Sequence, residues 1–340
     1  MSKNKKTIKN LIIFILLIIF TFYIILKDQD IVEIMQVLRN VRLEYVVIAI
    51  VAMLIYLVLE TVNMGRTLKT LNEKSSFIQN FRYVLIGFFF SSITPAASGG
   101  QPMQIYYMHK NGISIANSTL SLLINLCSFQ IITISFAMIS LIFNYKYLTT
   151  GLVWLFVIGV TLNSIALSLL LIGIFSKKLS ECLVKISVKI LSFFKIKNIE
   201  EKQEKLEKEL FKYQGSAAYI KQNIEVMLKT ILTTFVQILF YYSIPFWIYC
   251  SFGFSEYNII QIISLQAILY ATVSGIPLPG AVGVSEGGFL GIFKNVFTTS
   301  TLNSAMILNR GVSFYLFVLI SAILVISQAL VANKNSELAD

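Results

Sequence analysis

Only one histidine, three cysteines and five prolines occur in 340 residues, and charged side chains make up just 13% of the chain. The single imidazole, His109, would have to be the base of any Ser-His-Asp triad and cannot build a His-rich metal site alone. Cys127, Cys182 and Cys250 lie far apart without CxxC spacing, which argues against a zinc site or a disulfide framework. Neither GxxxxGK[ST] nor GxGxxG occurs, so no loop is expected to cradle a nucleotide, and transport driven by ATP hydrolysis within the chain is not expected. No cofactor and no metal are expected. An ordinary soluble domain is about 25% charged, roughly twice the proportion found here.

What the chain does have is apolar length. Hydrophobic residues account for 56% of it, mean hydropathy is +0.76, and runs of membrane-spanning length recur from end to end. They cover 11–26, 45–62, 83–93, 113–143, 151–175, 226–249, 259–276 and 302–331. The reading is an all-α polytopic membrane protein. The net charge of +11 comes mainly from lysines beside apolar spans, with only five arginines, which points to topology signals and anionic lipid rather than nucleic acid. Lys3, Lys5, Lys6 and Lys9 precede the run 11–26, which ends in Lys27 and Asp28 without a small-residue cleavage site, so that run is expected to be an anchor.

Four of the five prolines fall in two breaks. The first runs Thr94-Pro95-Ala96-Ala97-Ser98-Gly99-Gly100-Gln101-Pro102; the second runs Pro277-Leu278-Pro279-Gly280-Ala281-Val282-Gly283-Val284-Ser285-Glu286-Gly287. Positive-inside bias puts the N-terminal lysines, residues 63–82 and the eleven-lysine stretch 176–225 in the cytoplasm. Parity then makes 83–110 a re-entrant hairpin from the cytoplasm and 259–298 one from outside. Two halves of opposite orientation follow, 1–150 and 151–340, each reading span, span, hairpin, span, with six full spans, two hairpins and both termini cytoplasmic. Such inverted repeats with paired Gly/Pro interruptions point to a transporter's binding site. Within 176–225, residues 179–193 have the spacing of a basic amphipathic helix. The Glu/Lys-rich part after it, with Glu201–Lys205 and Glu204–Lys208 pairs, reads as a solvated helical linker.

Charge inside a bilayer is costly, so intramembrane ionisable residues are functional candidates. Arg310, beside Asn309 in the last span, has the fork geometry suited to a lipid phosphate, and Glu286 is its natural partner or the sensor of a cationic group. A purely structural pairing of the two explains them equally well. Asn125 stands near the matching place in the first half. At the inner break Ser98, Gln101 and Gln104 are the polar candidates, while Pro95, Gly99, Gly100, Pro102, Pro277, Pro279, Gly280, Gly283 and Gly287 shape or gate the hairpins. Glu60 and Arg66 are weaker candidates, readily explained as an interfacial snorkelling pair. His109 reads as an interfacial residue.

The two motifs, the first continuing through Met103-Gln104 to Gly112-Ile113 and the second followed by Arg310 and Tyr315, resemble the transmembrane region of the lysylphosphatidylglycerol synthase/flippase family. The likeness runs through nearly the whole chain. It implies an inner-membrane protein of bacteria that moves phospholipid, anionic or aminoacylated, between leaflets and supports resistance to cationic peptides. Long members add an aminoacyl-transferase domain for which this chain has no room, so no lysyltransferase activity is expected of it alone. Two other readings stay open: a secondary transporter of a small polar or anionic solute, and a non-transporting partner of a separate lipid-modifying synthase. Oligomeric state is not legible.

Overall fold

The computed structural model describes residues 31–144, 150–176 and 199–337. The expected first span, 11–26, the amphipathic segment 179–193 and Cys182 lie outside these residues, as do the side chains of Glu201, Glu204 and Lys205. The described chain is helical without strands. In order, the helices are α1 (Ile31–Arg39), α2 (Leu43–Thr70), α3 (Phe77–Ser92), α4 (Gly100–Lys110), α5 (Ile115–Asn144), α6 (Thr150–Phe175), α7 (Ile199–Gln222), α8 (Ile224–Ser251), α9 (Ile259–Val273), α10 (Val284–Phe293), α11 (Thr299–Arg310) and α12 (Leu316–Glu337). A π-helical turn, Gly311–Tyr315, joins the last two.

Among the described residues, five stretches are long and apolar enough to cross a membrane: Leu43–Thr70, Ile115–Asn144, Gly151–Ile172, Ile224–Ser251 and Thr299–Gln328. They match five of the six expected spans. Their outward faces carry Leu54, Val58, Ile142, Leu169, Leu232 and Ile323 exposed. An exposed apolar belt of this extent is what lipid-facing helices require, because their backbone groups are already paired internally.

α2 and α8 form the central pair, antiparallel along their length. Arg42 N donates to Ser251 O at 2.8 Å at one end, the Tyr56 and Tyr241 rings lie 5.0 Å apart in the middle, and Arg66 Nη2 donates to Thr233 Oγ1 at 2.9 Å near the other end. This axis gives the bundle two ends. Glu73, just past α2, lies at the Arg66 end with α7; the loop 252–258 lies at the Arg42 end, where Tyr249 OH accepts from the backbone N–H groups of Glu256 and Tyr257.

Two helical hairpins enter from these opposite ends. α3 starts beside Glu73 and α4 returns antiparallel to it, with Gln104 Nε2 donating to Tyr83 O at 3.1 Å and Asn111 Nδ2 to Tyr83 OH at 2.7 Å. α9 and α10 do the same from the other end, where Tyr257 OH donates to Asn295 O at 3.0 Å. Each leading arm opens with a reciprocal capping box, Ser76 with Gln79 and Asn258 with Gln261. The turns, Pro95–Ala97 and Pro279–Ala281, pack against each other and share one backbone form. After each proline come two left-handed residues, Ala96 (φ 52°) and Ala97 (φ 54°) in one turn, Gly280 (φ 58°) and Ala281 (φ 50°) in the other. Three alanines in that region are uncommon enough to mark a constrained turn.

In α7 the described charged residues of the expected linker, Glu207 and Lys208, are exposed, and the helix docks beyond them. Tyr213 and Ala217, four residues apart, place one face against Leu120, Ile124 and Cys127 of α5, while Ser216 Oγ donates to Asn117 Oδ1 at 2.7 Å. A short apolar stripe within a charged sequence is enough to dock the helix.

α6 crosses α9 at Gly159, where an added methyl would overlap the carbonyl oxygen of Ala271. Gly159→Val should therefore lower the melting temperature in detergent by several degrees, the overpacking costing about 1–3 kcal/mol. Gly151→Val, in the same helix with nothing within 4 Å, should leave it nearly unchanged. Equal melting of the two variants would contradict this packing.

Candidate functional site

The second turn is fastened by a buried charge cluster. Gly283 (φ 88°) opens α10, and its N–H donates to Glu286 Oε2 at 2.7 Å. Glu286 Oε1 accepts from Arg310 Nε and from Tyr315 OH, both at 2.8 Å. Arg310 Nη2 donates to Gly280 O at 3.1 Å, and its guanidinium stacks 4.2 Å from the Phe314 ring centre. The π turn matters here, because i→i+5 winding brings Arg310 and Tyr315 onto one face. Glu286 is fully buried and Arg310 is 7% exposed. Every oxygen of the carboxylate is engaged inside the protein, so the pair works as a clasp between turn and last span. Asn309 is buried beside it, its Oδ1 without a hydrogen-bond partner among the described residues.

A separate cavity of about 990 Å³ runs from the first turn to α7. Ala96, Ala97, Gln101 and Gln104 bring the first hairpin to its wall; Glu60 and Asn63 come from α2, Asn125 and Gln130 from α5, Tyr270 from α9 and Ser274 from just past its end, and Leu210 and Tyr213 from α7. The volume is at the upper end of the ~300–1,000 Å³ usual for ligand pockets. Its polar groups are amides, hydroxyls and one carboxylate. Among the described residues, neither amide atom of Asn125 has a hydrogen-bond partner, nor has Gln130 Oε1, though all three are buried. Orphaned amide groups of this kind call for an explanation, and a ligand or ordered water supplies one. Ile115 and Leu169, wall residues that are themselves exposed, place an apolar edge of the cavity at the belt.

The sequence candidates thus divide into two groups. Gln101, Gln104, Asn125 and Glu60 meet at the cavity. Arg310 and Glu286 meet at the clasp, and with Asn309, Ser98 and Arg66 they stand outside the cavity lining. Arg66 does not pair with Glu60; it donates to Asn63 Oδ1 at 2.8 Å and so orients a wall residue. Pro95, Gly99, Gly100 and Pro102 build the first turn and the start of α4, where a methyl on Gly100 would run into the Ser91 side chain. Pro277, Pro279, Gly280 and Gly283 build the second turn, whereas Gly287 has open space at its Cα. His109 sits near the end of α4, its Nδ1 3.4 Å from Ile113 O. Tyr213, Gln130 and Tyr270 were not legible as site residues; for Tyr213 the i, i+4 apolar pair with Ala217 was the available signal.

Crossing helices, an outward apolar belt and an internal polar cavity define a multi-pass α-helical membrane protein. Residues 8–321 match the family described as the lysylphosphatidylglycerol synthase TM region, and the chain belongs to that family. It is also similar to a UPF0104 membrane protein of Methanocaldococcus jannaschii, 26% identical over 165 residues, which is 46% of this chain and 48% of that protein. The match spans about half of the relative's length.

Breaking the clasp from one side leaves a buried charge without its partner, at a cost of about 3–5 kcal/mol. Glu286→Gln and Arg310→Met should each lower the melting temperature strongly, and the double variant should recover part of the loss. If the double variant is as unstable as the sum of the singles, the two side chains are not coupled.

Glu73, between α2 and α3, joins α7 to the bundle. Partial burial opposes its ionisation, but hydrogen bonds from Asn117 and Ser114 and the nearby Lys212 ammonium outweigh this and hold its carboxyl below the usual 4.5. A depressed folded-state value contributes stability above the unfolded value and loses it as pH falls through the folded one. Hydrogen exchange of residues 207–222, corrected for intrinsic rate, should be flat from neutral pH to about 4.5 and rise below it. Glu73→Gln should flatten that acid limb; an unchanged limb would mean another group controls docking.

Proposed function

We propose that the protein is a lipid flippase or scramblase of the bacterial cytoplasmic membrane that carries phospholipid head groups through the cavity while the acyl chains stay at the belt. The observation that carries this reading is the cavity itself: a wall with unpaired amide groups inside, and apolar, outward-exposed Ile115 and Leu169 at its edge. An amphiphile fits both requirements at once. The family's description, which refers to a phospholipid synthase, favours a lipid over a free solute.

In this reading the protein moves a lipid and makes no covalent change to it. Gln101 and Gln104 on the first hairpin, with Asn125 across the cavity, bond the head group. Arg310 and Glu286 hold the second turn against the last span and take no direct part in binding. The halves 1–150 and 151–340 are inverted repeats, and the hairpins are re-entrant from opposite faces. Support comes from the matched turns, the matched capping boxes of Ser76 and Asn258, and the antiparallel α2 and α8. Rocking one half against the other would open the cavity to each side alternately. The basic stretch 176–225 and both termini face the cytoplasm.

Leaflet-specific quenching of acyl-labelled phospholipids in proteoliposomes tests this directly. Wild type should move lipid well above empty vesicles, and Gln101→Leu/Asn125→Leu should slow it at least tenfold at unchanged melting temperature. Wild-type protein that is folded yet no faster than empty vesicles would overturn the assignment.

A further inference from the structure

α7 stands at the Arg66 end of the cavity, gives Leu210 and Tyr213 to its wall, and is lightly held. Ala217, one turn past Tyr213, is the only buried residue among the described side chains of α7, whereas the central helices bury residues from Ala49 to Leu68 and from Thr230 to Ser251. Around this short stripe pack Leu123 of α5, Leu167 and Leu170 of α6 and Met227 of α8. One helix face is thus laid across three spans.

Its polar fastenings meet at one buried side chain. Asn117 Oδ1 accepts from Ser216 Oγ at 2.7 Å, and Asn117 Nδ2 donates to Glu73 Oε1 at 2.7 Å. The same carboxylate oxygen lies 3.5 Å from Lys212 Nζ, an exposed ammonium. A long contact to an exposed lysine contributes little, and an element with few buried apolar contacts opens at lower free energy than the body it packs on. Only Asn223 separates α7 from α8, and its φ of −101° and ψ of 59° are not helical. A single element-terminal residue of this kind is where a hinge absorbs its rotation.

The position of this helix bears on access. Ile115 of α5 and Leu169 of α6 form the edge of the cavity at the apolar belt, and Leu170, the next residue, lines the wall and also packs against the α7 stripe. We propose that α7 is a strap that closes the cavity at the Arg66 end and swings about Asn223 to admit a ligand from that side. The inference rests on the head-group reading only for what enters. Tyr213 belongs both to the docking stripe and to the cavity wall, so an occupant touches the seat of the strap, and occupancy and docking are coupled. Ser216 and Asn117 are positioning residues that set how often the strap lifts.

Two measurements test this. Cys127 lies under the strap, buried in the same cluster as Ala217. In folded, detergent-solubilised protein carrying Cys182→Ser and Cys250→Ser, N-ethylmaleimide should label Cys127 roughly fivefold faster when Ser216→Ala is added, the equilibrium value of one ordinary hydrogen bond. An unchanged labelling rate would overturn the strap. For the second, Asn117→Cys and Ser216→Cys are combined with Cys127→Ala in that background, and a disulfide between the two new thiols is closed by oxidation and reopened by reductant. In proteoliposomes the reduced protein should move acyl-labelled phospholipid at least as fast as wild type, and the oxidised protein no faster than empty vesicles. Equal movement before and after oxidation, with the disulfide verified by mass spectrometry, would overturn the strap and leave lipid movement standing. If wild type moves no lipid but Ser216→Ala speeds the labelling of Cys127, the strap stands and the lipid reading falls.

Discussion

The architecture depends on the contact between two proline-led turns where the two hairpins meet. Turn backbone set between membrane-spanning helices must find partners for its polar groups, and here the protein supplies them from its own side chains. Thr94 Oγ1 accepts from Gly99 N at 2.9 Å in the first turn, Glu286 accepts from Gly283 N in the second, and Arg310 covers the Gly280 carbonyl. Without such partners each hairpin would have to straighten into a span or leave the bundle. Because the second turn is tied to Arg310, and Gly280 packs on Phe314 and Ser92 O, the last span, the second hairpin and the first hairpin are fixed relative to one another at one point.

That point also determines where a ligand can go. The clasp consumes the strongest charges of the interior, so they are unavailable to a substrate. What remains is the space between the first turn, α5, α9 and α7, where weaker polar groups and one carboxylate are left open. The division of labour is physical: a fully bonded buried ion pair is suited to holding structure, whereas orphaned amides beside a cavity are suited to exchange with a ligand or water.

Much of this was legible from residue order. Run length gave the five spans, and the clustering of Pro95, Pro102, Pro277 and Pro279 located both turns. A glutamate in the second break and an arginine in the last span were recognised as natural partners, and they meet. The cavity was harder to see. Asn125 and Glu60 sit on helices apolar nearly all round, so no periodicity says which face turns inward, and Glu60 resembled an interfacial residue because Arg66 follows six positions later. α7 was obscured by composition: its lysines and glutamates mark a solvated face, and only Tyr213 and Ala217 betray the docked one.

Head-group-tethered photoreactive phospholipid, cross-linked in proteoliposomes and mapped by mass spectrometry, addresses the central claim that the cavity rather than the charge pair receives the ligand. The account predicts adducts on peptides carrying Gln101, Gln104, Asn125 and Glu60, suppressed by excess unlabelled lipid. Adducts concentrated at Arg310 and Glu286, with none on the cavity wall, would contradict it.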